Sequence, residues 1–349
     1  MSVADFEQRR NKILELIIEA YVSTAVPVGS ELVARKLRSS LSPATIRNIM
    51  GELEEAGFLE QPHTSAGRVP TDRGYRFYVD SVMEVRLLSP DEMRQMEAMT
   101  QPREMDIDQL LEQASAVLVG LTHQAAFAVA PALKRSTVKQ IELVPLSVRK
   151  VLCVLIANEE MVVSHVVETE EPMTREEAAA LGRFISDELE GLSFSELLES
   201  LERRLLGESD SFYHLIKRSL SILQLALSTE PSERLFLEGA SYVVAQPEFT
   251  RDPRKAHQLL RGLDEEALLL ARLSGDLAAD SVRVRIGREI QVPGLDECSY
   301  MTAPVSIGGE LVGGVGVLGP KRMDYARLRS LVEGMGRCVT GVLTRWEQR

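Results

Sequence analysis

The stretch from Ser42 to Tyr78, SPATIRNIMGELEEAGFLEQPHTSAGRVPTDRGYRFY, constrains the fold more than any other part of the chain. Ser42 before Pro43 reads as a helix start: a side-chain oxygen caps free backbone amides, and the next residue has a fixed φ that suits the first turn. Ile46, Ile49, Met50 and Leu53 then recur at i, i+3, i+4 and i+7, the spacing of one buried helix face. Thr45, Arg47, Asn48 and Glu52 fall on the opposite face, and Gly57 stands where a helix C-terminus favours glycine. Phe58 and Leu59 open a short strand, followed by a polar loop with Gly67, Arg68 and Pro70.

The preceding residues agree with a compact helical unit. Phe6, Ile13, Leu14, Ile17, Ile18, Tyr21 and Val22 form a wide apolar stripe on a first helix, which Pro27 and Gly29 break. Ser30 to Leu37 makes a second short helix with Leu32, Val33 and Leu37 facing inward. The turn from Arg38 to Leu41 is short, as two helices of such a motif require. Together these elements predict a winged helix-turn-helix, a module that sets one helix in a DNA major groove.

The run PVGSELVARKL, continued by LSPATIRNIMGELEEAGFLEQPHTSAGRVPTDRGYRFYVD, resembles the DNA-binding domain of the HrcA family of bacterial heat-inducible transcription repressors. GGVGVLGPKRMDYARL, near the C-terminus, resembles that family's last hairpin and helix. The resemblance covers both ends of the chain and is least distinctive between about residues 85 and 230. It implies a GAF-like domain carrying an inserted dimerisation domain. It also implies an inverted-repeat operator called CIRCE upstream of chaperone operons, and a repressor that the GroEL chaperonin keeps active.

At 349 residues the chain has room for two or three domains. It carries no run of eighteen apolar residues, and its N-terminus, MSVADFEQRRNK, lacks an apolar signal core. Cys153, Cys298 and Cys338 are odd in number and far apart, which favours reduced thiols and a cytoplasmic location.

A net charge of −12 sits awkwardly with nucleic-acid binding. Residues 1–80, however, carry 10 Lys and Arg against 11 Asp and Glu, whereas the remainder carries 30 against 41. The head is near neutral and the body acidic, and binding needs a local basic face rather than a basic protein. With 32 Arg against 8 Lys, the pattern of charge informs where the residue type does not.

Beyond the head, Ser89-Pro90-Asp91 reads as a linker end and helix cap. A helix near 106–124 precedes strand-like runs at Ala125–Ala130, Val138–Leu146, Val151–Ala157 and Met161–Glu168, the last two joined by a turn at Asn158–Glu160. Helical pattern runs from Thr174 to about Thr229 and again near 253–274. Strand signals return at Val282–Ile286, Ser299–Ile307 and Leu311–Leu318, and a strongly amphipathic helix ends the chain. The expected class is multidomain α+β. A winged-helix domain spans 1–85, a GAF-like α/β domain spans 88–172 and 236–349, and a largely helical dimerisation domain is inserted at 173–235.

The expected DNA contacts begin with Thr45, Arg47 and Asn48, where a recognition helix meets base edges. Arg can chelate guanine and Asn adenine. Ser42 and the helix N-terminus suit phosphate. His63, Thr64, Ser65, Gly67 and Arg68 form a wing tip and return suited to entering a minor groove or clasping phosphate, Arg68 mainly the latter; the alternative is a solvent loop that touches nothing. Arg73 and Arg76, at i and i+3, are expected to face the same way and to bind phosphate. Tyr75 and Tyr78 suit core packing or the DNA backbone.

The dimer contact is expected on the stripe of Ile216, Leu220, Leu223 and Leu227, because an insertion adds little to its host's core. The alternative is that this stripe packs on its own neighbours. Gly314, Gly316 and Gly319 satisfy GxGxxG but lie inside an apolar strand with Pro320 next and no room for a βαβ unit. They therefore suit close packing, not a dinucleotide. The histidines lack metal-ligand spacing and no nucleophile elbow is present, so no metal, cofactor or enzyme is expected. The other reading is a regulator whose GAF-like domain senses a small ligand. A well-formed pocket with converging polar groups would favour it.

Overall fold

The computed structural model describes residues 3–37, 41–64, 66–98, 107–130, 140–156, 162–188, 192, 194–205, 210–228, 234–279, 281–307 and 310–347. The expected turn at Asn158–Glu160, the residues Arg38–Ser40 and the wing residue Ser65 lie outside them.

Three helices open the chain: α1 (Val3–Thr24), α2 (Ser30–Leu37) and α3 (Pro43–Glu55). Ile13, Leu14, Ile17 and Ile18 of α1 are buried against Val33 of α2 and Ile46, Ile49, Met50 and Leu53 of α3. The stripe read from the sequence is thus the inner face of α3. The Ser42 hydroxyl accepts from the Thr45 amide at 3.1 Å and begins the helix. Gly57, at φ +77°, ends it; its amide reaches the Glu54 carbonyl and the Phe58 amide reaches the Leu53 carbonyl, each at 2.9 Å. Both are the bonds of a left-handed helix stop, a conformation a Cβ would penalise.

Strands β1 (Leu59–Glu60) and β2 (Val69–Pro70) then pair antiparallel, and Val28 bridges Arg68 to widen the ribbon. Helix α4 (Asp72–Phe77) follows, capped by Thr71, and runs into one wider turn at Tyr78–Val82.

The body is a five-stranded antiparallel sheet in the order β7-β3-β10-β9-β8, with β3 at Ala125–Ala130, β7 at Arg234–Glu238, β8 at Arg283–Ile286, β9 at Cys298–Ile307 and β10 at Glu310–Pro320. Helices cover both faces. On one side α6 (Ile107–Thr122) and α14 (Tyr325–Glu347) pack on Ala126, Ala128, Met301, Ala303, Val315 and Val317. On the other, a second core joins Phe127, Val129 and Tyr300 to Leu259 of α12 (Pro253–Asp264) and to Leu269, Leu273 and Leu277 of α13 (Glu266–Leu277). The short helices α10 (Ala240–Val244) and α11 (Pro247–Thr250) add Val243 and Phe249 to that core. Helix α5 (Pro90–Glu97), begun by a reciprocal Ser89–Glu92 capping box, lies beside α14. The glycines of β10 serve packing: a Cβ on Gly314 would sit 2.1 Å from Leu277, and one on Gly316 2.2 Å from the Met301 carbonyl.

The inserted unit is larger than the sequence pattern suggested. Strands β4 (Gln140–Pro145), β5 (Lys150–Ile156) and β6 (Val162–Glu168) form their own antiparallel sheet. That sheet shares one core with α7 (Arg175–Glu188), α8 (Phe194–Leu205) and α9 (Asp210–Ser228). Ala130 at the end of β3 pairs directly with Arg234 at the start of β7. The chain therefore leaves the body and returns at neighbouring positions on one strand pair, the geometry in which an extra domain disturbs its host least. The expected limits of 173 and 235 are corrected at the first end: the unit already includes β4 to β6, and only its second half is helical.

The expected dimer stripe is corrected too. Ile216 and Leu223 are fully buried inside this core and Leu220 packs against it, so that face of α9 is already covered by its own sheet and helices. Leu227 belongs to α9, but its side chain lies outside the described set.

Candidate nucleic-acid interface

Helix α3 offers a polar face to solvent because its apolar residues are all used on the other side. Ser42, Thr45, Arg47 and Asn48 are exposed in its first two turns, with the Ser42 and Thr45 hydroxyls 3.0 Å apart. Among the described residues no carboxylate pairs with Arg47, so its five donors remain available. An Arg and an Asn side by side, at the amide-rich end of a helix, can offer bidentate hydrogen bonds to purine edges while the helix end attracts phosphate.

The β1–β2 hairpin follows α3 in the chain. His63 and Thr64 are exposed at its tip, closed by the Ala66 amide on the His63 carbonyl at 2.8 Å. The Gln61 side-chain amide pins the tip by donating to the Thr64 and Ala66 carbonyls, each at 3.0 Å. Gly67 is there for packing: a Cβ would lie 2.4 Å from the Val28 backbone.

Of the three arginines expected to hold phosphate, Arg68 and Arg76 are engaged elsewhere and Arg73 is not. Arg68 bridges Glu54 at 2.8 Å, tying the hairpin's return to the end of α3. Arg73 is exposed, with its guanidinium 5.0 Å above the Phe58 ring. Arg76 turns away from it into the body, where Nε donates to Glu289 Oε1 at 3.0 Å, Nη2 to the Val284 carbonyl at 2.7 Å and Nη1 to Asp80 at 3.2 Å. The Arg73 and Arg76 guanidinium groups therefore do not meet the same surface. The i, i+3 spacing was right for one helix face, but the Glu289 carboxylate and the Val284 carbonyl hold the Arg76 guanidinium toward the body.

Arg76 belongs to a joint between head and body. Asp72 meets Lys321 at 2.9 Å and the Arg288 amide at 3.4 Å; Arg322, paired with Glu248, donates to the Val22 carbonyl at 2.7 Å. The Tyr75 ring lies 5.7 Å from that of Tyr325, and burial pushes its phenol pKa well up. Burial pulls the Lys321 ammonium down, but Glu297 and Asp72 outweigh it and hold it above its ordinary value. Tyr75 and Tyr78 are thus core residues.

Sequence reasoning passed over Arg35 and Lys36, which lie in the last turn of α2, ahead of the turn expected from Arg38 to Leu41. Both are exposed and, among the described residues, unpaired. The available signal was the adjacency of two cations to that turn in a near-neutral head. Among the described residues no group of His, Cys, Asp and Glu could hold a metal ion, and no helix is long and apolar enough to cross a membrane.

Comparison with known proteins places this geometry in context. The family described as HrcA protein C terminal domain matches residues 108–328. The heat-inducible transcription repressor HrcA of Symbiobacterium thermophilum is 36% identical over 329 residues, covering 94% of this chain and 96% of that protein. The protein of the same name from Chlorobium luteolum is 35% identical over 360 residues, 99% of each chain. A crystal structure of a hypothetical protein at 2.2 Å resolution is 25% identical and aligns over 97% of this chain and 98% of that one, with a TM-score of 0.59.

Proposed function

The chain belongs to the HrcA family of heat-inducible transcription repressors, and from that premise we propose how its parts do the work of repression. It is a transcriptional repressor of heat-shock genes. The head, α1 to α4 with the β1–β2 hairpin, acts as a winged helix whose α3 reads bases in a major groove. The observation that carries this is the exposed, unpaired Arg47 beside Asn48 on the one face of α3 that packing leaves free. Ser42 and Thr45 take adjacent phosphate, and His63 and Thr64 bring the wing tip to the neighbouring groove. Arg35 and Lys36 add phosphate contacts, Arg73 can join them, and Arg68 acts by bracing the hairpin on α3.

The five-stranded sheet and its covering helices are read as the GAF-like body, and the unit from β4 to α9 as the dimerisation domain. Two heads on a two-fold axis would read an inverted repeat of the CIRCE type. With the α9 stripe spent internally, the subunit contact is assigned to the outer face of the inserted sheet. Register aligns Val144, Leu152 and Val166 in one row across its three strands. Val144 is 43% and Val166 55% exposed, apolar surface that a partner would cover. Control by the GroEL chaperonin is carried over from the family resemblance.

The test is affinity for an operator duplex against a scrambled one. Arg47→Ala and Asn48→Ala should each lose about 1–3 kcal/mol of discrimination while the fold persists. Equal losses on both duplexes would reduce these side chains to phosphate contacts and sink the assignment of α3 as the reading helix.

A further inference from the structure

A cavity of about 400 Å³ lies between the head and the body, and the DNA reading leaves it unused. Four arginines line it, Arg76, Arg283, Arg285 and Arg329, against the two carboxylates Asp80 and Glu289. They arrive from three directions. Arg76 belongs to the head. Arg283 and Arg285 stand two residues apart on β8, an edge strand, where residues of both strand faces, Val282 to Arg285, border the cavity. Arg329 lies one turn beyond Tyr325, the residue of α14 whose ring meets Tyr75 of the head.

Two of these cations are already answered. Arg76 holds Glu289 and Asp80, and Arg285 holds Asp276. The guanidinium groups of Arg283 and Arg329 meet no carboxylate or carbonyl among the described residues, and Arg329 Nε is buried with no hydrogen-bond partner. A buried donor without an acceptor costs stability, and folded proteins seldom leave one so. In a chain whose net charge is −12, a cavity with more cations than anions is a local departure from composition.

We propose that this cavity binds a small phosphate-bearing anion. Guanidinium forks match phosphate oxygens with paired hydrogen bonds. A tetrahedral phosphate offers acceptors toward several arginines at once, whereas a planar carboxylate presents only two oxygens. Val79, Val282 and Val284 supply a short apolar wall for the rest of the molecule, and the volume falls in the range of small-ligand sites. The wall containing Arg76, Val79 and Asp80 moves with the head, and the wall containing Arg283 and Arg329 moves with the body. A bound anion therefore cements the docked arrangement and shifts the population toward it. The ligand site goes beyond the repressor reading and needs none of the DNA contacts assigned above.

The test uses the full-length protein, first without DNA and then, for the variants, with an operator duplex across a salt series. Its thermal unfolding is followed against inorganic pyrophosphate, with sodium chloride at matched ionic strength as the control. The expected result is a saturable rise in Tm of several degrees, absent with chloride and abolished in the R283Q/R329Q variant. Arg283 is exposed on an edge strand, so Arg283→Gln alone will fold. Calorimetric titration of that variant should show pyrophosphate affinity reduced at least about tenfold. A response equal to that of chloride, or one unchanged in the variants, would overturn the proposal. So would variants that lose DNA affinity and flatten its salt dependence while their pyrophosphate response stays intact, because these arginines would then serve the DNA backbone.

Discussion

Lys36 and Arg76 are both cations on the head, yet their surroundings assign them opposite behaviour in a salt titration. Lys36 is exposed and unpaired at the end of α2, whereas Arg76 is held by Glu289, Asp80 and the Val284 carbonyl. A side chain that neutralises one phosphate contributes about one unit to the slope of log K against log salt. Lys36→Ala and Arg35→Ala should each flatten that slope by about one unit on any sequence. Arg76→Ala should leave it unchanged while lowering thermal stability, because Glu289 then loses its charge partner in a half-buried joint. A flattened slope for Arg76→Ala would return it to the DNA surface. No sequence pattern separates these cases: each is a basic residue at a helix end, and the carboxylate that claims Arg76 lies more than two hundred positions away.

Among the elements, those defined by local periodicity were legible. The α3 stripe, its Ser42 cap and its Gly57 stop follow from residues within one helix length, and the structure keeps each of them. The first end of the inserted unit was not legible. Strand β3 and strand β4 follow each other in sequence and both read as apolar, but β3 is buried on both faces in the large sheet and β4 on one face in the small one. Alternation reports how many faces are covered, not which strand lies alongside. The α9 stripe failed for a related reason. A buried face announces that it is covered, and the sheet that covers it came from a segment assigned elsewhere.

The row Val144–Leu152–Val166 replaces the α9 stripe as the interface to test. Val144→Glu together with Val166→Glu should give folded monomers by sedimentation, with operator affinity falling sharply because one head alone reads half a site. Leu223→Ala should instead destabilise the inserted unit by about 2–5 kcal/mol and leave the association of the folded fraction intact. A double Glu variant that stays dimeric would move the contact off this sheet face.

Across the whole molecule, the head is fastened to the body by side chains and not merely tethered. Gly287 shows how closely the two meet: at φ +54°, a Cβ there would stand 2.2 Å from Asp72 Oδ2, the carboxylate that also holds Lys321. Gly287→Ala combines backbone strain with that clash, so it should loosen the joint and expose the connecting residues around Leu87, already 90% exposed, to faster proteolysis. An unchanged cleavage rate would mean that the joint does not depend on this approach. In the proposed dimer, a fastened head would also fix the distance between the two α3 helices, as an operator of fixed half-site spacing demands.

Hydroxyl-radical footprinting of the full-length protein on the inverted repeat upstream of a chaperone operon tests the central claim most directly. The account predicts two protected half-sites related by a two-fold axis, both lost together in the R47A/N48A variant while wild-type stability is retained. Protection of a single half-site, or a symmetric footprint that survives that variant, would contradict it.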